Sequence, residues 1–216
     1  MIKIIYEDNH LLVVEKPVNV PVQEDDSRDL DLLSILKNYI KKKYDKPGNV
    51  YLGLVHRLDR PVGGVMVFAK TSKAASRLSE QIRNHTFKKE YHAVVVGNIS
   101  DNGNFVDKLI KDTKNNKVSV NPLGKEAKLS YIKVNSSNNL SLVKINLETG
   151  RSHQIRVQFS YHGYPLYGDQ KYNKNAHIGN QIALWATRIQ FIHPVTKTLL
   201  DFSSNPPSIY PWLLFR

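Results

Sequence analysis

Short apolar or alternating runs, each ended by a turn residue, recur along the chain and constrain its fold more than any other feature. Residues 2–6 and 11–16 are two such runs with Glu7-Asp8-Asn9-His10 between them, which predicts a β-hairpin closed by Pro17 and the loop to Pro21. Val50 to Val55 and residues 65–69, 90–97, 129–134, 140–147, 182–192 and 198–203 share this strand character, with Asn135-Ser136-Ser137-Asn138-Asn139 as a flexible turn. Only three stretches carry helical spacing. The first runs through Leu32, Leu33, Ile35, Leu36, Tyr39 and Ile40, capped by Asp29 or Asp31. The second spans 72–83, with Ser72 or Thr71 as N-cap and Ala75, Leu78 and Ile82 as its buried positions. The third covers 152–162. Many strands and few helices predict an α+β fold with a mixed, largely antiparallel central sheet flanked by helices and loops. No repeat or clean linker interrupts residues 1–216, which are expected to form a single domain, at most two intimately packed halves.

Composition narrows the chemistry. The chain has no cysteine, which excludes disulfides, thiolate catalysis and the common structural zinc sites. Its eight histidines show no metal-ligand spacing such as HExxH, so no metal is expected. There is no P-loop, no GxGxxG and no Gly-x-Ser-x-Gly elbow, so neither a nucleotide cofactor nor a serine triad is supported. No run approaches the roughly 18 apolar residues of a membrane span, and the N-terminus lacks a secretory core. A cytoplasmic monomer is the expectation. Lys and Arg total 31 against 19 Asp and Glu, a formal charge of +12, which favours a polyanionic partner through counterion release. Lys108, Lys111, Lys114, Lys117, Lys125, Lys128 and Lys133 recur with hardly any acid between them and form the leading candidate for a nucleic-acid face. The Lys41-Lys42-Lys43 triplet fits two roles equally, a favourable interaction with the helix dipole or a contact with an RNA backbone.

Three segments carry candidate chemistry. In His56-Arg57-Leu58-Asp59-Arg60-Pro61 a carboxylate lies between two arginines at a strand-to-turn junction, where both cations favour its ionised form. Gly63-Gly64 would let a second backbone or a ligand approach closely. On its own the segment reads as readily as a loop-stabilising ion pair. In Gly150-Arg151-Ser152-His153-Gln154-Ile155-Arg156, the glycine permits an unusual backbone before a helix start, and Arg151 and Arg156 offer planar forks for carboxylate or phosphate. An amphipathic helix with solvated arginines fits equally well. In Lys88-Lys89-Glu90-Tyr91-His92-Ala93-Val94-Val95-Val96, Tyr91 shares a strand face with Ala93 and Val95, which suits core packing or stacking on a nucleobase.

Taken together, these segments resemble the RluA-type family of RNA pseudouridine synthases. The matching fragments follow the family's order: Leu11-Leu12-Val13-Val14-Glu15-Lys16-Pro17, Val55-His56-Arg57-Leu58-Asp59, Phe68-Ala69-Lys70-Thr71, Lys88 to Val94, Thr149 to Val157, and Pro165-Leu166-Tyr167-Gly168-Asp169. The resemblance implies a pseudouridine synthase fold and isomerisation of specific uridines in structured rRNA or tRNA, by base flipping and without a cofactor. It makes Asp59 the catalytic aspartate, as nucleophile at C1′ or C6 or as stabiliser of a glycal-like intermediate. Tyr91 becomes the base-stacking and proton-transfer residue, and Arg156 the partner of the aspartate. Arg57 would enter the space vacated by the flipped base. Leu58 and Ile155 would wall the site, with Arg60, Arg151 and His56 as further substrate contacts.

The match has departures. Pro61-Val62-Gly63 replaces the usual polar pair, while Gln158, Tyr164 and Trp185 stand where histidine is common, which bears on substrate preference rather than on the Asp59, Tyr91 and Arg156 set. The sequence begins at the first hairpin, so RNA affinity is expected to come from the catalytic domain's own basic surface and not from an S4-type domain. Two rival readings stand beside the isomerase: an RNA-binding or RNA-chaperone module with secondary or lost catalysis, and a metal-independent hydrolase using Asp59 and a histidine. The intact Asp59, Tyr91 and Arg156 set favours the isomerase over a pure binder, and the hydrolase reading has no motif behind it.

Overall fold

The computed structural model describes residues 2–216, which divide into two compact units. One holds the chain up to Phe87 together with Arg188–Ser204, and the other holds Lys88–Thr187 and Asn205–Arg216. In the first unit, β1 (Lys3–Glu7) and β2 (Leu11–Lys16) form the predicted antiparallel hairpin, with a register shift between Ile4 and Tyr6. Helix α1 (Leu32–Lys43) starts at Asp31, whose carboxylate accepts the Ser34 N–H at 3.0 Å, a cap worth about 1 kcal/mol. Its C-terminal end is tied to Glu7, which accepts from Lys43 at 2.7 Å, from Tyr39 at 2.9 Å and from Tyr44 at 2.8 Å. One lysine of the triplet is thus engaged within the protein.

Strand β4 (Gly63–Ala69) runs antiparallel to β2. The predicted strand from Val50 to Val55 shrinks to β3 (Gly53–Leu54), because only these two residues pair with β4, at Ala69 and Phe68. Helix α2 (Ser72–Arg83) is capped by Thr71, and its buried positions are Ala74 and Leu78; Ala75 and Ile82 are only partly covered, so the buried face is turned one residue from expectation. These residues close the core over Leu11, Val13, Val65 and Val67, with Phe87 and Phe191 stacked at 5.0 Å.

In the second unit the strand order is β5 (Lys88–Val96), β9 (Leu140–Leu147), β8 (Lys125–Ser137), β6 (Asn102–Asp112) and β7 (Lys117–Val120), all antiparallel. Strands β6 and β7 are absent from the sequence-based expectation, and β8 starts four residues before the expected 129. The inward positions of β6 alternate as in any strand, but Gly103 and Asp107 share them with Phe105 and Leu109, while the apolar Val106 and Ile110 are exposed, so apolar residues do not alternate along it. The flexible turn expected at 135–139 contracts to Asn138-Asn139, whose φ values of 52° and 57° suit a two-residue hairpin. Helix α3 (Gln154–Tyr161) begins two residues later than predicted, since His153 adopts a left-handed conformation (φ 51°) that a helix cannot run back through. Phe159 of α3 packs on Phe105 and Tyr131 at ring distances of 5.1 and 5.5 Å. Strand β10 (Leu184–Ile192) passes from this unit into the first, where Arg188–Ile192 pair antiparallel with β11 (Leu199–Ser203).

Candidate active site

The first unit holds the loop from β3 into β4, and this loop carries Asp59. The Val62 N–H donates to the Asp59 carbonyl at 2.9 Å, closing a tight turn that Pro61 rigidifies. Beneath the turn lies Lys16, the last residue of β2, which is fully buried. Its Nζ donates to the carbonyls of Pro17 at 2.9 Å, Arg60 at 2.9 Å and Val62 at 2.7 Å, so the three hydrogens of one ammonium meet three acceptors around the aspartate. Burial pushes the Lys16 ammonium down to about 7, with Asp59 raising it and Arg60 lowering it. Leu58 is buried while Arg57 is exposed. Arg60 departs from expectation: its guanidinium bonds to Asp29 and Ser27, with Asp25 at 3.9 Å, and so serves the acidic 25–29 loop and not the aspartate beside it. His56 turns inward, its Nε2 accepting the Val67 N–H at 3.1 Å and its ring 5.5 Å from Phe87, which gives this histidine a packing role.

The second unit carries Tyr91, Ile155 and Arg156. Tyr91 is buried on β5, paired with Ile145 of β9 and sharing its face with Ala93 and Val95, as the alternation predicted. Ile155 and Arg156 occupy the first turn of α3, and both are buried. Arg156 makes a two-pronged pair with Asp169, Nε to Oδ2 at 2.9 Å and Nη2 to Oδ1 at 2.7 Å, and Tyr172 lies over the guanidinium at 5.2 Å. Asp169 also accepts the N–H groups of Lys171 at 3.1 Å and Tyr172 at 3.3 Å, which fixes the carboxylate before it fixes the arginine. Gly168 makes the turn possible: its φ is 72°, and a Cβ there would collide with the Gln181 carbonyl. Gly150, which permits an unusual backbone, is not left-handed; His153 is. Arg151 is exposed and donates through Nε to the Glu126 carbonyl at 2.8 Å. Of the lysines in 108–133, Lys133 bonds to Asp101 at 2.8 Å and Lys128 to Glu126 at 3.0 Å, whereas Lys111, Lys114, Lys117 and Lys125 are exposed and, like Lys108, make no ion pair among the described residues.

Lys16 and Asp169 fall within the family-like fragments, but the sequence alone gave neither a role. The strand alternation held a signal for Lys16, because it falls on the same side of β2 as Leu12 and Val14, where a lysine must find partners. Asp169 had no such signal, since its partner lies 13 residues back on another element.

Comparison with known proteins gives concordant matches. Residues 10–161 match the family model described as RNA pseudouridylate synthase. An uncharacterized RNA pseudouridine synthase, YhcT, of Bacillus subtilis (strain 168) is 34% identical over 203 residues, covering 91% of this chain and 66% of that protein. A ribosomal large subunit pseudouridine synthase D of Zymomonas mobilis is 34% identical over 220 residues, covering 95% and 69%. A ribosomal large subunit pseudouridine synthase C of Vibrio vulnificus is 33% identical over 209 residues, covering 93% and 64%. The chain thus spans about two thirds of the length of these curated relatives. Among solved structures, human RNA pseudouridylate synthase domain containing 4 superposes with a TM-score of 0.80 at 23% identity, covering 99% of this chain and 90% of that one, a likeness of fold.

Proposed function

The chain belongs to the RluA-type RNA pseudouridylate synthase family, and from that premise we propose that it isomerises specific uridines of large-subunit ribosomal RNA to pseudouridine. The names of the relatives from Zymomonas and Vibrio support the ribosomal substrate. The observation that carries the assignment to particular residues is the Asp59 turn, whose carbonyls are held from below by a buried ammonium. A loop-stabilising ion pair has no need of a charged lysine buried at such cost.

The reaction breaks the N1–C1′ bond, turns the base, joins C5 to C1′, releases the C5 proton and puts a proton on N1. Nothing is added and no electrons leave. Asp59 supplies the carboxylate, either as nucleophile or as the charge that steadies the electron-poor sugar. Tyr91 stacks on the base and relays a proton. Arg156, oriented by Asp169, is the arginine that the family resemblance assigns as partner of the aspartate. The exposed Arg57 fills the gap left by the extruded base, whose unstacking costs a few kcal/mol, and the free lysines of 108–125 offset that cost on the RNA backbone. We place this activity in the cytoplasm, in a monomer; among the described residues no helix is long and apolar enough to cross a membrane.

The test is pseudouridine mapping of ribosomal RNA treated with wild-type protein and with Asp59→Asn. Wild type is expected to modify discrete uridines, and the variant to lose all turnover while binding RNA nearly as before. Turnover in the variant refutes the role of Asp59.

A further inference from the structure

Lys89 stands two positions before Tyr91 on β5, so both side chains leave the strand on one face. It is half-buried, and burial pushes its ammonium below the ordinary lysine range, with no carboxylate acting to raise it. Among the described residues the Lys89 side chain makes no hydrogen bond or ion pair. Other covered lysines behave differently: Lys16 holds three carbonyls, and Lys133 pairs with Asp101 and the Ile99 carbonyl. A half-buried ammonium that no side chain of the protein engages is open to an anion from outside.

Gly150 lies beside it. A Cβ at that position would sit 3.2 Å from the Lys89 Nζ. The backbone of Gly150 is not left-handed, so the missing side chain serves to leave room and not to permit a turn. The loop holding the glycine is braced. The Thr149 hydroxyl and the Arg151 N–H both donate to Gln154 Oε1, at 2.8 and 3.0 Å. Gln154 Nε2 in turn donates to the Lys128 carbonyl at 3.0 Å, and the Lys128 N–H to Thr149 Oγ1 at 2.8 Å. The opening over the ammonium therefore has rigid walls.

We propose that Lys89 is a phosphate-binding residue, taking through the gap at Gly150 a backbone phosphodiester of the RNA next to the uridine that meets Tyr91. This rests on the uridine-isomerase reading for the identity of the ligand, but the anion site is testable without turnover. A charge-assisted hydrogen bond to a phosphate oxygen explains both the unpaired cation and the empty space beside it.

The experiment compares two five-nucleotide oligouridylates, one with ordinary phosphodiester links and one with neutral methylphosphonate links. Their affinities are measured for wild type, Lys89→Met and Gly150→Ala, alongside pseudouridine formation in a ribosomal RNA transcript. Wild type is expected to prefer the phosphodiester oligomer. Lys89→Met should weaken that binding by about tenfold, a typical loss for a hydrogen bond to a charged group, while leaving methylphosphonate binding unchanged. Gly150→Ala, which adds one methyl group beside Nζ, should shift affinity in the same selective way and provides the answer if the lysine variant does not fold. A wild-type chain without preference for the charged backbone, or variants that weaken both oligomers equally or neither, overturns the proposal. Selective loss in a wild-type background that forms no pseudouridine would leave the phosphate site standing and remove the isomerase reading instead.

Discussion

Replacing Lys16 with methionine keeps the length of the side chain and deletes the ammonium beneath the Asp59 turn. Three carbonyls, of Pro17, Arg60 and Val62, then lose a donor at 2.7–2.9 Å. Each buried acceptor left unpaired costs about 1–3 kcal/mol, or about 6 kcal/mol at the middle of the range for all three. Acting the other way, burial has brought the ammonium from 10.5 to about 7, and at about 1.4 kcal/mol per pH unit this is a penalty of about 5 kcal/mol that methionine does not carry. Near pH 7 the two nearly cancel, leaving a destabilisation of about 1 kcal/mol. The balance moves with pH. Between about 7 and 10.5 the unfolded chain binds a proton at Lys16 that the folded chain has released, so wild-type stability rises through this window and that of Lys16→Met does not. Urea unfolding at pH 7 and pH 9 should show the gap widening by about 2 kcal/mol. A gap constant with pH would mean that Lys16 is not desolvated and would refute the reasoning. Activity should suffer more than the fold, because a catalytic group displaced by about 1 Å loses roughly a hundredfold in rate. A variant that unfolds cooperatively and still isomerises uridine at the wild-type rate would show that the turn needs no clamp.

Tyr91→Phe should bind RNA as tightly as wild type and form pseudouridine more slowly in single-turnover measurements; an unchanged rate removes the hydroxyl from the chemistry. Asp169→Asn strips the charge from the buried fork on Arg156 and should cost about 3–5 kcal/mol of stability in denaturant melts, with a much smaller loss showing that the guanidinium finds another partner. Replacing Lys111, Lys114, Lys117 and Lys125 with glutamine should flatten the dependence of RNA affinity on salt, measured as log K against log salt concentration. The slope should fall by about 0.7–0.9 for each phosphate that the variant no longer neutralises. An unchanged slope would put the RNA-binding face elsewhere on the protein.

The elements with strong local signals were legible from the amino-acid order. The hairpin at 2–16, the capped helices beginning after Asp31 and Thr71, and the alternation that buries Tyr91 with Ala93 and Val95 are set by periods of two and 3.6 and by single capping residues. Strands β6 and β7 were not legible: on β6, Gly103 and Asp107 take inward positions and Val106 and Ile110 outward ones, so burial alternates but the sequence does not, and β7 is only four residues long. The ordered company of Asp59, Tyr91 and Arg156 also came from the sequence alone, through family resemblance. What each side chain holds was decided by tertiary structure. Arg60, adjacent to Asp59, is spent on Asp29, while Lys16, 44 residues from Arg60 in the chain, grips the turn. Asp169 locks Arg156 from 13 residues away. Charges interact through space, and in a buried site the nearest partner is set by how strands and loops converge; the order of residues along the chain does not encode those distances.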